Sequence, residues 1–165
     1  MKSELTKKDN KLIKFLTEFS VCKKKHLSCF VGYNQKCLFR LQQNNKIVVE
    51  ENLIKIKNIQ VEGIELQNVL KVLDILSILY QKGKITKDII GMDLPYYAAA
   101  KVANVEAYLY FTIINIGKEN IQCKLIDRDN YGNVVLILEE KEQINNITLN
   151  NQVEKIYIYN EVINN

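Results

Sequence analysis

Six glycines in 165 residues, none of them clustered, leave no phosphate-cradling loop. With a single histidine, His26, the chain has one conceivable Cys/His nucleophile pair, and His26 sits in a lysine-rich stretch that offers no pocket. Long apolar runs are also missing. Val134 to Leu138, five residues, is as long as any, against the ~20 needed to span a bilayer. The polar stretch Met1 to Asn10 lacks the apolar core of a signal peptide. These absences predict a cytoplasmic protein without a membrane partner, whose four cysteines stay reduced. Hydrophobic residues make up 47% of the chain, enough for packed cores and too many for disorder.

Charge is present but uneven. Residues 1 to 60 hold 13 Lys+Arg against 5 Asp+Glu, and residues 61 to 165 hold 10 against 14. The modest net +4 therefore conceals a basic N-terminal part and an acidic remainder. An AT-biased genome would inflate lysine everywhere and does not explain the acidic half. A localised basic field attracts a polyanion. The division suggests two parts, 1–60 and 61–165.

The basic part has the pattern of a winged helix-turn-helix. Thr6 to Ser20 reads as a helix, with Leu12, Ile13, Phe15, Leu16 and Phe19 at helical spacing and Thr6 as its N-cap. A second helix runs from about Lys23 to Phe30, with Leu27, Phe30 and Val31 inward, and Gly32 ends it. Asn34 opens a third, through Gln43, with Leu38 and Leu41 on the core side. Lys46 to Glu50 and Leu53 to Lys57 are β-branched runs around the turn Glu51-Asn52, a hairpin that would form the wing.

In such a module the third helix enters the major groove of duplex DNA. Its expected exposed residues are Tyr33, Asn34, Gln35, Lys36 and Arg40. Asn and Gln pair with adenine, and Arg and Lys with guanine. Lys23, Lys24 and Lys25 stand where a phosphate would lie, and Lys55 and Lys57 alternate outward on the wing. The expected function is sequence-specific binding of double-stranded DNA by an accessory or regulatory protein, without catalysis. The alternative is a protein-interaction component that does not read DNA.

Leu5-Thr6-Lys7-Lys8-Asp9 with Leu12 to Phe15, then Lys25-His26-Leu27, the Tyr33 to Arg40 helix and the Ile47 to Lys57 wing resemble the N-terminal winged helix of plasmid replication-relaxation proteins. They are also similar to proteins of Firmicutes conjugative elements. The resemblance covers about the first third of the chain. It implies a role in replication, transfer or regulation of a mobile element, with replication or transfer proteins as partners.

The acidic remainder admits two readings. Leu66 to Tyr80 is its most hydrophobic helix, either nearly buried or shared with a partner, which makes it a candidate homodimer interface. In the preferred reading a small α/β unit follows. Its strands are Val105 to Asn115, Val134 to Leu138 and Lys155 to Tyr159. Its helices are Lys118 to Asp127, burying Ile121, Leu125 and Ile126, and Glu139 to Ile144. This alternation suggests a parallel sheet. Gly117-Lys118-Glu119, the hydrophobic strand, the acidic residues and Gln143-Ile144 resemble the C-terminal segment of the conjugative-element proteins. The replication-relaxation proteins carry a nuclease-like fold at the same place, which implies such a fold here, without activity. In the alternative reading a second winged helix has helices at Leu66 to Lys82, Thr86 to Met92 and Pro95 to Ala107, with a wing around Gly117. Overall the expected class is α+β.

Other signals point to packing. Glu139 and Lys141, with Asp127 or Asp129, have the residue types of a metal-dependent nuclease, but Glu-x-Lys is common by chance. Cys22, His26, Cys29 and Cys37 lie within sixteen residues, yet their spacing matches no paired-cysteine zinc site, and Cys29 suits a small inward position. No cofactor or metal is expected. Tyr96, Tyr97, Tyr108, Tyr110, Tyr157 and Tyr159 read as core and interface residues.

Overall fold

The chain is α+β. A computed structural model describes residues 4–129 and 131–165. Met1 to Ser3, the head of the polar stretch read above, lie outside the described residues. Contacts divide the chain into two compact units, Met1–Leu73 and Asp74–Asn165. The division falls inside a helix, thirteen residues beyond the charge boundary. No described helix is long and apolar enough to cross a membrane.

The first unit opens with α1 (Lys7–Phe19). Its N-terminus is closed by a capping box. The Thr6 hydroxyl accepts from the Asp9 backbone N–H at 3.3 Å, and the Asp9 carboxylate accepts from the Thr6 N–H at 2.7 Å. Leu12, Phe15, Leu16 and Phe19 form its buried stripe. Phe15 packs on Phe19 and Phe30 at ring-centre distances of 4.9 and 6.3 Å. Then come β1 (Val21–Lys23), α2 (Lys24–Phe30), α3 (Gln35–Gln43), β2 (Ile47–Glu50) and β3 (Leu53–Ile56). The hairpin forms at the expected place, with Glu50 opposite Leu53 across the turn. Glu51 takes a left-handed conformation there, φ 52°.

β1 was not expected. It pairs antiparallel with β3, Cys22 opposite Ile54, so the sheet order is β1-β3-β2. Three residues after a left-handed Ser20 carry no periodic signal. Only the partner strand, some thirty residues on, makes them a strand.

In the second unit β4 (Ile85–Gly91), β5 (Ala98–Val102) and β6 (Tyr108–Ile114) form an antiparallel run. α5 (Glu119–Asp129) then leads to β7 (Val134–Leu138), which is parallel to β6. A 3-10 helix (Lys141–Asn146) leads to β8 (Val153–Ile158), parallel to β7, and α6 (Tyr159–Ile163) ends the chain. The sheet order is β4-β5-β6-β7-β8. It is mixed, where a parallel sheet was expected.

The second-winged-helix reading is overturned. Thr86 to Met92 falls almost wholly in strand β4, and Pro95 to Ala107 holds strand β5 flanked by turns, with no helix in either. Thr86 caps no helix; its hydroxyl accepts from the Asp88 N–H at 3.1 Å. Ala98, Ala99 and Ala100 favour a helix by a few tenths of a kcal/mol each. Here they are buried in a strand hydrogen-bonded on both sides, and that tertiary gain outweighs the local preference. α5 also turns differently from expectation. Cys123 and Ile126 are buried, whereas Ile121 and Leu125 are exposed.

α4 (Gly63–Gln81) links the units. Every residue from Val72 to Ser77 is buried, polar Asp74 and Ser77 included, so this stretch offers no surface to a second copy. Asp74 accepts a 2.8 Å hydrogen bond from the Tyr159 hydroxyl, tying the end of β8 back to α4. Burial and that bond hold the phenol above its ordinary range.

All five residues of β7 are buried. Val134, Leu136 and Leu138 join Ile114, Ile126 and Tyr96 in one core cluster, so α5 covers that face. The top of the sheet is locked by Gln143, 3% exposed. Its Oε1 accepts from the N–H groups of Glu139 (2.8 Å) and Glu140 (3.0 Å). Its Nε2 donates to the Ile114 carbonyl (2.9 Å) and to the Glu119 carboxylate (3.2 Å). Glu119 also accepts from the Gly117 N–H at 3.1 Å. One buried amide thus joins the ends of β6 and β7, the start of α5 and the 3-10 helix.

Removing that amide strands several polar groups. Gln143→Ala is expected to lower unfolding free energy by about 3 kcal/mol, measured by urea titration. A loss below about 0.5 kcal/mol, the scale of an ordinary surface substitution, would show that the lock is not needed.

Candidate nucleic-acid interface

α3 turns one face inward and one outward. Cys37, Leu38 and Leu41 are buried, while Gln35, Lys36, Phe39, Gln42 and Gln43 are exposed. Asn34 is the N-cap: its side-chain oxygen accepts from the Cys37 N–H at 2.9 Å. That oxygen serves the helix, and Tyr33 is half-buried before it. Of the expected readers, Asn34, Gln35 and Lys36 stand at the surface.

Arg40 requires a correction. It was expected to project outward. Its guanidinium instead grips Asp9 of α1 in a two-pronged ion pair, Nε to Oδ2 at 2.9 Å and Nη2 to Oδ1 at 3.0 Å. The Asp9 side chain has no solvent exposure. Burial alone would push its carboxyl up. The hydrogen bonds from Arg40 and from the backbone and hydroxyl of Thr6 outweigh burial and hold it well below the carboxylate range. The Arg40 guanidinium is correspondingly held in its charged form. Arg40 therefore fixes α3 against α1.

The lysines divide into two groups. Lys23, Lys24 and Lys25 line a cleft of about 320 Å³ together with Asn52 at the hairpin turn. The Lys24 N–H donates to the Asn52 carbonyl at 3.1 Å, so the start of α2 is tied to the hairpin turn. The Lys23 N–H donates to Nδ1 of buried His26 at 3.1 Å. The cleft lining includes none of the α3 residues. On and just after β3, Lys55 pairs with Glu50 at 2.8 Å and the Lys57 ammonium donates to the Asn45 side chain. Both are engaged within the unit.

Phe39 and the pair Gln42-Gln43 were missed as surface residues. The signal was available: on a helical wheel, position 39 lies roughly 100° from Leu38 and 160° from Leu41, so a ring at that position must face outward. Phe39 is 61% exposed.

No group of three or more His, Cys, Asp or Glu able to hold a metal exists among the described residues. Cys22 is buried, which pushes its thiol up to about 12. The Asp127 carboxylate accepts from the N–H groups of Asn150 and Asn151, both at 2.9 Å, which fastens α5 to the loop before β8. Comparison with protein-family models, curated proteins and solved structures finds no match for this chain.

Asp9→Asn is expected to cost about 3 kcal/mol at pH 7, because it breaks a buried pair and a capping box together. The folded pKa of Asp9 is depressed, so its stabilisation is present above the ordinary value of 3.8 and lost as pH falls below it. Denaturation curves of the two proteins should therefore converge in acid. A gap that stays constant from pH 7 to pH 2 would refute the assignment.

Proposed function

We propose that the first unit is a winged helix-turn-helix that binds double-stranded DNA through α3, in an accessory or regulatory protein of a mobile element. The observation that carries this reading is the two-faced α3, pinned by Asp9–Arg40 and presenting Gln35, Lys36, Phe39, Gln42 and Gln43 outward. Charge supports it. The unit Met1–Leu73 holds 14 Lys+Arg against 7 Asp+Glu. In this reading α3 occupies the major groove while Lys23, Lys24 and Lys25 hold phosphates beside the wing tip.

We read the second unit as a nuclease-like scaffold without activity that carries dimerisation and partner contacts, replication or transfer proteins among them. Asp127 is committed to Asn150 and Asn151, which supports a structural role for that carboxylate. Exposed Ile121 and Leu125, four residues apart on α5, are the apolar pair best placed for a second copy. A homodimer would set two α3 helices on half-sites about 34 Å apart. Sedimentation at micromolar concentration is expected to give twice the chain mass, and Ile121→Asp half of that. A monomer in both cases removes the dimer from the proposal.

The rival reading, in which the same module contacts only protein, draws on the large apolar exposure of Phe39. Fluorescence anisotropy with a labelled 20-base-pair duplex separates the two. Affinity should fall steeply with salt, and Lys24→Glu with Lys36→Glu should weaken binding at least about 10-fold and flatten the salt slope by about two contacts. Absence of binding to any duplex in low salt would rule the DNA reading out.

A further inference from the structure

α3 contains one arginine, and Asp9 holds it. The Arg40 guanidinium, the group best matched to the O6/N7 edge of guanine, directs Nε and Nη2 at a carboxylate with no solvent exposure. The capping carboxamide of Asn34 is likewise engaged, through its oxygen. What faces outward beside the exposed cap Asn34 is a stripe one turn apart, Gln35, Phe39 and Gln42, bordered by Lys36 and Gln43. Phe39 is at its centre and 61% exposed.

These residue types select one kind of base pair. A glutamine amide matches the N6/N7 edge of adenine. A phenyl ring has nothing to bond and is placed well only against an apolar group, and the apolar group on the floor of the major groove is the C5 methyl of thymine. A ring at the centre of the stripe would touch the groove floor wherever α3 enters. Guanine and cytosine present polar edges there and would leave the ring without an apolar neighbour.

We infer that Phe39 is a specificity-determining residue that packs on a thymine methyl, so that α3, flanked by Gln35 and Gln42, selects A·T pairs. This rests on the proposal that α3 enters the major groove. It goes beyond that proposal by naming the base and the atom read.

Deleting the methyl group tests it directly. Three labelled 20-base-pair duplexes are compared by anisotropy in low salt with the full chain: one of A·T pairs, the same duplex with deoxyuridine for every thymidine, and one of G·C pairs. One buried methyl corresponds to about a fourfold change in affinity. The wild type is expected to bind the thymidine duplex at least about fourfold more tightly than the deoxyuridine duplex, and the G·C duplex more weakly than either. Phe39→Ala should bind the thymidine and deoxyuridine duplexes equally. Phe39 is exposed, so its melting temperature should match that of the wild type, and Phe39→Gln provides a second variant with the same expected loss of discrimination. Equal wild-type affinity for the thymidine and deoxyuridine duplexes overturns the inference. So does a preference that survives both substitutions. Either result leaves DNA binding itself standing, whereas no binding to any of the three duplexes removes the underlying proposal as well.

Discussion

The first unit is organised around the carboxylate of Asp9. That group closes the first turn of α1 by accepting from Thr6, and it receives both prongs of the Arg40 guanidinium. A carboxylate without solvent exposure is tolerated only when its lone pairs are filled, and four hydrogen bonds fill them. The pair therefore sets α3 at one rotation against α1. With that rotation fixed, Cys37, Leu38 and Leu41 face the core and Gln35, Lys36 and Phe39 face outward. The chemistry of the proposed interface follows from an ion pair that is not part of it.

The second unit uses a polar lock in a different setting. β7 is apolar along its whole length and buried on both faces, so it holds the sheet together but does not determine where its end connects. Gln143 and Glu119 do that, through directed bonds to the ends of β6 and β7. The two short motifs Gly117-Lys118-Glu119 and Gln143-Ile144, far apart in the chain, meet at this lock.

The functional reading gains from what is spent. Arg40, Asn34, Lys55 and Lys57 all suit nucleic acid by type, and each is engaged within its own unit. What is left on α3 is smaller and chemically more selective: amides, one lysine and an exposed ring. Removing the guanine reader from the list is as informative as adding Phe39 to it.

The amphipathic periodicity of α1, the Asn34 cap, the hairpin around Glu51-Asn52 and the strand Val134 to Leu138 were all legible in the sequence. Each depends on spacing within a few residues, or on the burial that a wholly apolar run implies. Three things were not legible. β1 is a strand because of a partner distant in sequence, and β5 because it is buried and paired on both sides, against weak or opposite local preference. α5 buries Cys123 rather than Ile121 because packing chose its rotation. Arg40 turned inward because Asp9, thirty-one residues earlier, offered a buried charge. By itself the sequence determined the α+β class, the basic N-terminal part and the residue types available on α3. Only the tertiary structure decided which of those side chains remain for a partner, since that depends on long-range pairing of charges and strands, which spacing along a chain does not encode.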